Sequence, residues 1–184
     1  MNLPTKYTII LIISTLLLIL ILGYLIPSHP IIPVQNATHK DWNKNSFMHP
    51  NWGSSIYHKG IDIFKPKGTP VISSTQGIII FTGTIRKGGN VILILGPHWK
   101  LHYYAHLDSI KRNKFSLVKT GQEIGTVGTT GNAMGKPPHL HYTVQTLIPY
   151  VWRWDGIRRG RMWYLDPSEE FSNCLLYTSP SPRD

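Results

Sequence analysis

Imidazoles and carboxylates at three places along the chain have the types and spacing to hold a metal ion and to move protons. In His58-Lys-Gly-Ile-Asp62 a histidine and an aspartate four residues apart flank a glycine. Both can fold onto one ion where a loop enters a strand, and both are ordinary Zn2+ ligands. In His139-Leu-His141, residues i and i+2 of a strand share one face. Pro137-Pro138 before them holds an extended approach. Two imidazoles on one face are hard to account for as packing, because each buried ring needs its own hydrogen-bond partner. In Tyr103-Tyr-Ala-His106, strand alternation predicts His102, Tyr104 and His106 on one face. A catalytic zinc site takes three protein ligands and keeps a position open. His58, Asp62 and one of His139 and His141 supply three. The remaining histidine of that pair, with His106, can then flank the attacking water as proton carriers or oxyanion stabilisers. Spacing does not choose which of the pair binds metal.

These residues need a rigid frame, and the composition points to a β one. The chain has 184 residues, 16 Gly and 14 Pro, set among Ile, Val, Thr and Tyr. That mixture favours short strands between turns. Expected strands are 70–73, 77–83, 90–95, 101–106 and 139–145, with Arg86–Asn90 as a hairpin turn. No window of the soluble part carries a helical apolar period. One Cys excludes an internal disulfide framework and a CxxC zinc site, so a metal must use His and carboxylates.

Both ends stand apart from this domain. Thr8–Ile26 is a 19-residue stretch without a charge, covering roughly 28 Å as a helix, about one bilayer core. It exceeds the usual signal-peptide core and lacks an A-x-A-like cleavage site. It is therefore expected as a transmembrane signal anchor over 8–26, with residues 1–7 cytoplasmic. Residues 27–45, with Pro27, Pro30 and Pro33, are expected as a tether, and 46–173 as the catalytic domain. The last eleven residues, CLLYTSPSPRD (174–184), resemble the in-frame translation of a transposon-end sequencing adaptor and are set aside as non-native. Without the anchor and this tail the chain holds 17 Lys+Arg and 8 Asp+Glu, a net charge of +9. Such a domain is drawn to anionic surfaces; outside the membrane, nucleic acid is not an expected partner.

The set of motifs resembles the lysostaphin/LytM-type zinc metallopeptidases, which cut peptidoglycan. The resemblance runs from His58 to Val144 through HKGIDIF, GTPV, GGN, YYAHL, GQEIGTVGTTGNA and PPHLHYTV. It implies an all-β, compact, twisted antiparallel sheet of the duplicated hybrid motif type, with a groove over one Zn2+. It implies His58, Asp62 and His141 as zinc ligands and His106 and His139 as the catalytic histidines. Thr129–Gly135 becomes a groove wall, with Tyr104, Gly131 and Asn132 as groove residues. The implied partner is peptidoglycan, and the implied place is the outer side of the cell membrane. The segment before His58, FMHPNWGSSIY, departs from the family's usual F-G-x-R-x-x-P approach.

Other readings use fewer of these residues. A non-catalytic wall-binding module that activates another hydrolase needs none of the five site groups. A biotinyl- or lipoyl-type carrier domain needs a lysine at a hairpin tip and has no use for convergent imidazoles. His49 and His98 adjoin prolines and are expected in exposed loops, and His102 in strand packing. The Trp- and Arg-rich stretch 150–164 can serve as a sugar-stacking loop, as a headgroup contact or as a core-closing connection.

Overall fold

The computed structural model describes residues 5–52, 55–156 and 159–171. The tail expected to be adaptor-derived therefore lies outside the described residues. Helix α1 spans Thr5–Leu25 and is long and apolar enough to cross a membrane. At 21 residues it is about 31 Å long. The strands follow in order: β1 (Pro50–Trp52), β2 (Ser55–Tyr57), β3 (Ile61–Phe64), β4 (Pro70–Ile72), β5 (Gly77–Ile85) and β6 (Gly89–Leu95). Then come β7 (Lys100–Ile110), β8 (Leu117–Val118), β9 (Glu123–Val127), β10 (His139–Thr146) and β11 (Tyr164–Leu165).

All strand pairs are antiparallel, and the main sheet runs β11-β10-β7-β6-β5-β8. β3 adds to β10 beside β11, while β9 bridges β7 and β4. The long β5–β6 hairpin forms because GIIIFTGTI and GNVILIL are rich in β-branched residues that suit a half-buried pleated surface. Its turn, Arg86–Gly88, is closed by the Ile85–Gly89 pair as the hairpin signal predicts. The core lies under β7, β10 and β3, with Ile61, Ile63, Ile92, Ile94, Leu107 and Leu140 fully buried.

Residues 27–45 differ from the expected tether. Ile31 N–H donates to Ser74 O (2.9 Å), Ile72 N–H to Pro33 O (3.0 Å) and Gln35 N–H to Pro70 O (3.0 Å). Val34 and Trp42 join the buried core, and Trp42 packs edge-on against Phe171. Apolar residues between the prolines give this segment a surface to bury, so it lies against β4 and only the first few residues after α1 remain as a link.

One feature of β7 breaks strand alternation. The β6–β7 register shifts between Asn90 and Ile92, and His106 takes a left-handed backbone with φ 64°. Tyr104 and His106 therefore do not share a face. Tyr104, expected in the groove, is fully buried, and its hydroxyl accepts from Ser74 N–H at 2.9 Å. The bulge instead turns Tyr103 and His106 towards the same cavity.

Candidate metal centre and catalytic groove

The site sits where β3, β7 and β10 meet. In the β10–β3 ladder His141 pairs directly with Asp62, and in the β10–β7 ladder it pairs with Ala105. The cross-strand pairing brings imidazole and carboxylate together, and the small Ala105 side chain leaves open space beside them. His58 follows directly on β2, the strand paired with β1. Its N–H donates to His49 O (3.0 Å) and its carbonyl accepts from Met48 N–H (2.7 Å).

The three ligand atoms converge. His141 Nδ1 lies 2.7 Å from Asp62 Oδ1. His58 Nε2 lies 3.1 Å from both Asp62 Oδ1 and His141 Nδ1. Tetrahedral zinc with bonds of about 2.05 Å would set its ligand atoms about 3.3 Å apart, so the two His58 separations need to open by about 0.2 Å and the His141–Asp62 separation by about 0.6 Å. The opposite ring nitrogens are tied down: His58 Nδ1 to Ser46 O at 3.1 Å and His141 Nε2 to Thr143 Oγ1 at 3.1 Å. The Ser46 carbonyl fixes the His58 proton on the outer nitrogen, and the Thr143 hydroxyl can accept the His141 proton in the same way once Nδ1 faces a cation. Two lone pairs and a carboxylate then face one another, and a cation is what such a set accommodates. When a proton sits on the inner nitrogens in place of an ion, burial pushes the Asp62 carboxyl up, but hydrogen bonds from His141 and His58 outweigh it and hold it well below the usual carboxylate range.

His106 and His139 follow the same rule. His106 Nδ1 donates to Thr130 O (2.9 Å), and His139 Nδ1 donates to Pro137 O (2.7 Å). Each ring thus keeps Nε2 as its acceptor, and the ring centroids are 5.0 Å apart. Burial, reinforced by His141 and His139, draws the His106 imidazole down to about 4. It is therefore neutral near pH 7, with Nε2 unprotonated.

The loop that holds His106 is clasped to the β5–β6 turn. Gly89 (φ 64°) and Gly131 (φ 67°) meet back to back, and a Cβ on Gly131 would overlap Gly89 N and Lys87 O. Thr130, between them, accepts from Asn90 N–H through Oγ1 (2.9 Å) and donates to Leu107 O (2.9 Å). Gly131 is thus a packing glycine behind the groove. Asn132 lines the groove as expected for that loop.

The cavity over these groups has a volume of about 530 Å3. All five expected metal and catalytic residues line it, together with Tyr103, Phe64 and the lysines Lys59, Lys87 and Lys136. Sequence reasoning missed Tyr103, because alternation predicted its neighbour instead. It also missed Thr143, whose only signal was its place two residues after His141. His102 is packed, with Nδ1 2.6 Å from the Tyr142 hydroxyl. His49 is exposed and bonds its neighbour's carbonyl at 2.8 Å.

The profile described as Peptidase family M23 matches residues 56–151, just over half of the chain. Over 97 residues the chain is 42% identical to "DD-carboxypeptidase/endopeptidase Mpg" of Neisseria meningitidis serogroup B, covering 52% of this chain and 21% of that protein. Over 98 residues it is 39% identical to the "L-Ala--D-Glu endopeptidase" of Bacillus subtilis, covering 50% of this chain and 30% of that protein. The chain thus spans less than a third of the length of these relatives. Among solved structures, the catalytic domain of lysostaphin from Staphylococcus simulans superposes with a TM-score of 0.57 at 26% identity, covering 69% of this chain and 89% of that one. A lytM structure from Ruminococcus gnavus gives 0.61 at 25% identity, covering 81% and 61%. The fold is accordingly the lysostaphin/LytM-type twisted antiparallel sheet.

Proposed function

The chain belongs to peptidase family M23, and on that premise we propose that it is a zinc-dependent endopeptidase of bacterial peptidoglycan. It hydrolyses stem peptides or peptide cross-links on the outer side of the cell membrane, to which α1 anchors it as a single span. The observation that carries this reading is the convergence of His58, Asp62 and His141, with two further histidines lining the same cavity. The three residues would hold one zinc ion, which when bound would polarise the scissile carbonyl and acidify the attacking water.

The rest of the chemistry belongs to the protein. His106, neutral and fixed through Nδ1–H on Thr130 O, takes a proton at Nε2 and returns it to the leaving amine. His139, fixed through Nδ1–H on Pro137 O, is the second proton carrier and, once protonated at Nε2, donates to the developing oxyanion. Tyr103 and Phe64 wall the groove. Lys59, Lys87 and Lys136 on its lining suit a substrate rich in carboxylates, as wall peptides are.

The test is a pair of substitutions in the full chain. Asp62→Ala removes a ligand and is expected to abolish both bound zinc and hydrolysis. His106→Ala is expected to keep zinc at one per chain while turnover falls by about 100-fold or more. Loss of zinc in the second variant would overturn these roles.

A further inference from the structure

The link between α1 and the catalytic domain is not a free hinge. The β6–β7 turn, Pro97–Trp99, packs against the last turns of α1. The indole Nε1–H of Trp99 donates to Leu20 O at 2.9 Å, and its ring lies over Gly23, which has no side chain to hold it off. The His98 ring stacks on Tyr24, with centroids 6.1 Å apart. His98 and Trp99 both take left-handed backbones, φ 58° and 55°. Two such residues in succession persist only where surrounding contacts fix them. Gly23 is the buried residue of the helix, and Trp99 is what covers it.

Leu20 lies five residues before the end of α1, about 7.5 Å inside it along the axis. Trp99 therefore reaches the depth of the headgroup and upper acyl region. Tryptophan is favoured there, provided its N–H finds an acceptor, which the Leu20 carbonyl supplies. The same end of the sheet carries further apolar side chains. Leu147 N–H donates to Trp99 O at 3.2 Å, and the loop it opens exposes Leu147 (46%), Ile148 (37%) and Val151 (64%). Such side chains side by side at a domain end call for a covering partner.

We propose that this end of the domain, built from Trp99, Leu147, Ile148 and Val151, is a membrane-docking face that rests on the outer leaflet of the bilayer α1 spans. The proposal relies on the anchor reading of α1. Continuity with the helix selects lipid as the occupant, because the Trp99–α1 contact holds the face at the bilayer surface. One consequence is orientation. β7 starts at this face with Lys100 and reaches the groove at His106, a rise of at most about 20 Å. The groove is thereby held close above the membrane, within reach of wall peptides that lie next to it.

The test uses the full chain in vesicles of phosphatidylethanolamine and phosphatidylglycerol, with ordinary or brominated acyl chains. In a Cys174→Ser background, single cysteines replace Leu147, Val151 or Phe115, all exposed, and carry a small fluorophore. Phe115 is 68% exposed and follows the opposite end of β7. The labels at 147 and 151 are expected to lose at least half their emission in brominated lipid, and the label at 115 to be unaffected. Trp99→Phe should remove more tryptophan quenching than Trp42→Phe, since Trp42 lies in the core. Alkaline carbonate extraction is run first. Release of the chain would overturn the anchor and the docking face together. Retention with equal quenching at 147 and 115 would overturn the docking face alone. A blue-shifted label at 147 without bromolipid quenching would also overturn it and assign the face to a protein partner.

Discussion

Replacing Thr143 by valine tests whether the metal centre is tuned from behind. Valine keeps the shape of threonine and removes only the hydroxyl that accepts from His141 Nε2–H at 3.1 Å. Thr143 is 5% exposed, so water does not readily take over. The bond fixes the His141 proton on the outer nitrogen and keeps Nδ1 as the ligand atom. Without it, a part-buried N–H loses its acceptor, at a cost of about 1–3 kcal/mol. Removing such an orienting partner typically weakens metal affinity about 10- to 100-fold. The assay is competition for zinc between the full chain and a chromophoric chelator at pH 7. The expected result is a weaker zinc Kd within that range, a thermal midpoint of the metal-free chain lowered by a few degrees, and recovery of both by serine at 143. An unchanged Kd in the valine variant would refute the reasoning that this hydroxyl selects the metal-binding tautomer.

Two further predictions concern the frame. His102 is fully buried, and burial, with Lys100 nearby, draws its imidazole down to about 3 from the ordinary 6.5. The unfolded chain then binds the extra proton below pH 6.5. Stability is complete above that pH and falls as the pH drops towards 3, by about 2 kcal/mol at pH 5. Thermal melts of the full chain in detergent should show this fall, and His102→Gln should make it shallower between pH 7 and 5 without removing it, because the His106 imidazole is drawn down as well. Equal slopes in both would contradict the assignment. Gly131→Ala forces a side chain into a left-handed position against the backbone of Lys87 and Gly89. It is expected to cost about 1–3 kcal/mol in melts and to lower kcat by displacing Thr130 O from His106. A variant with unchanged kcat would show that the clasp does not position that histidine.

Much of the site could be read from the chain because its chemistry is local. His139 and His141 are two apart on a strand and do line one cavity. His58 and Asp62 are four apart and do meet. The β5–β6 hairpin was equally plain, since its apolar β-branched runs flank a polar glycine turn. Where tertiary context decides, local rules failed. Alternation placed Tyr104 beside His106, but the bulge in β7 turned His106 to the other face and left Tyr104 in the core. The sequence carries no mark of that bulge, which arises from pairing with β6 and the Gly89–Gly131 clasp. β3 and β9 could not be given bounds from the sequence, because each is short and holds a polar or glycine residue that only partner strands stabilise. The segment 27–45 read as a tether because prolines dominate it, whereas Val34 and Trp42 find their burial only against distant residues.

Zinc-dependent cleavage of wall peptides is the claim on which the account turns. The most direct measurement is mass spectrometry of fragments released from purified peptidoglycan by the zinc-loaded full chain, with a chelated sample alongside. The account predicts new peptide termini that vanish with chelator and return on adding zinc, and those termini identify the bond. An intact polymer after incubation with folded, zinc-bound protein would contradict it and leave the groove as a binding surface.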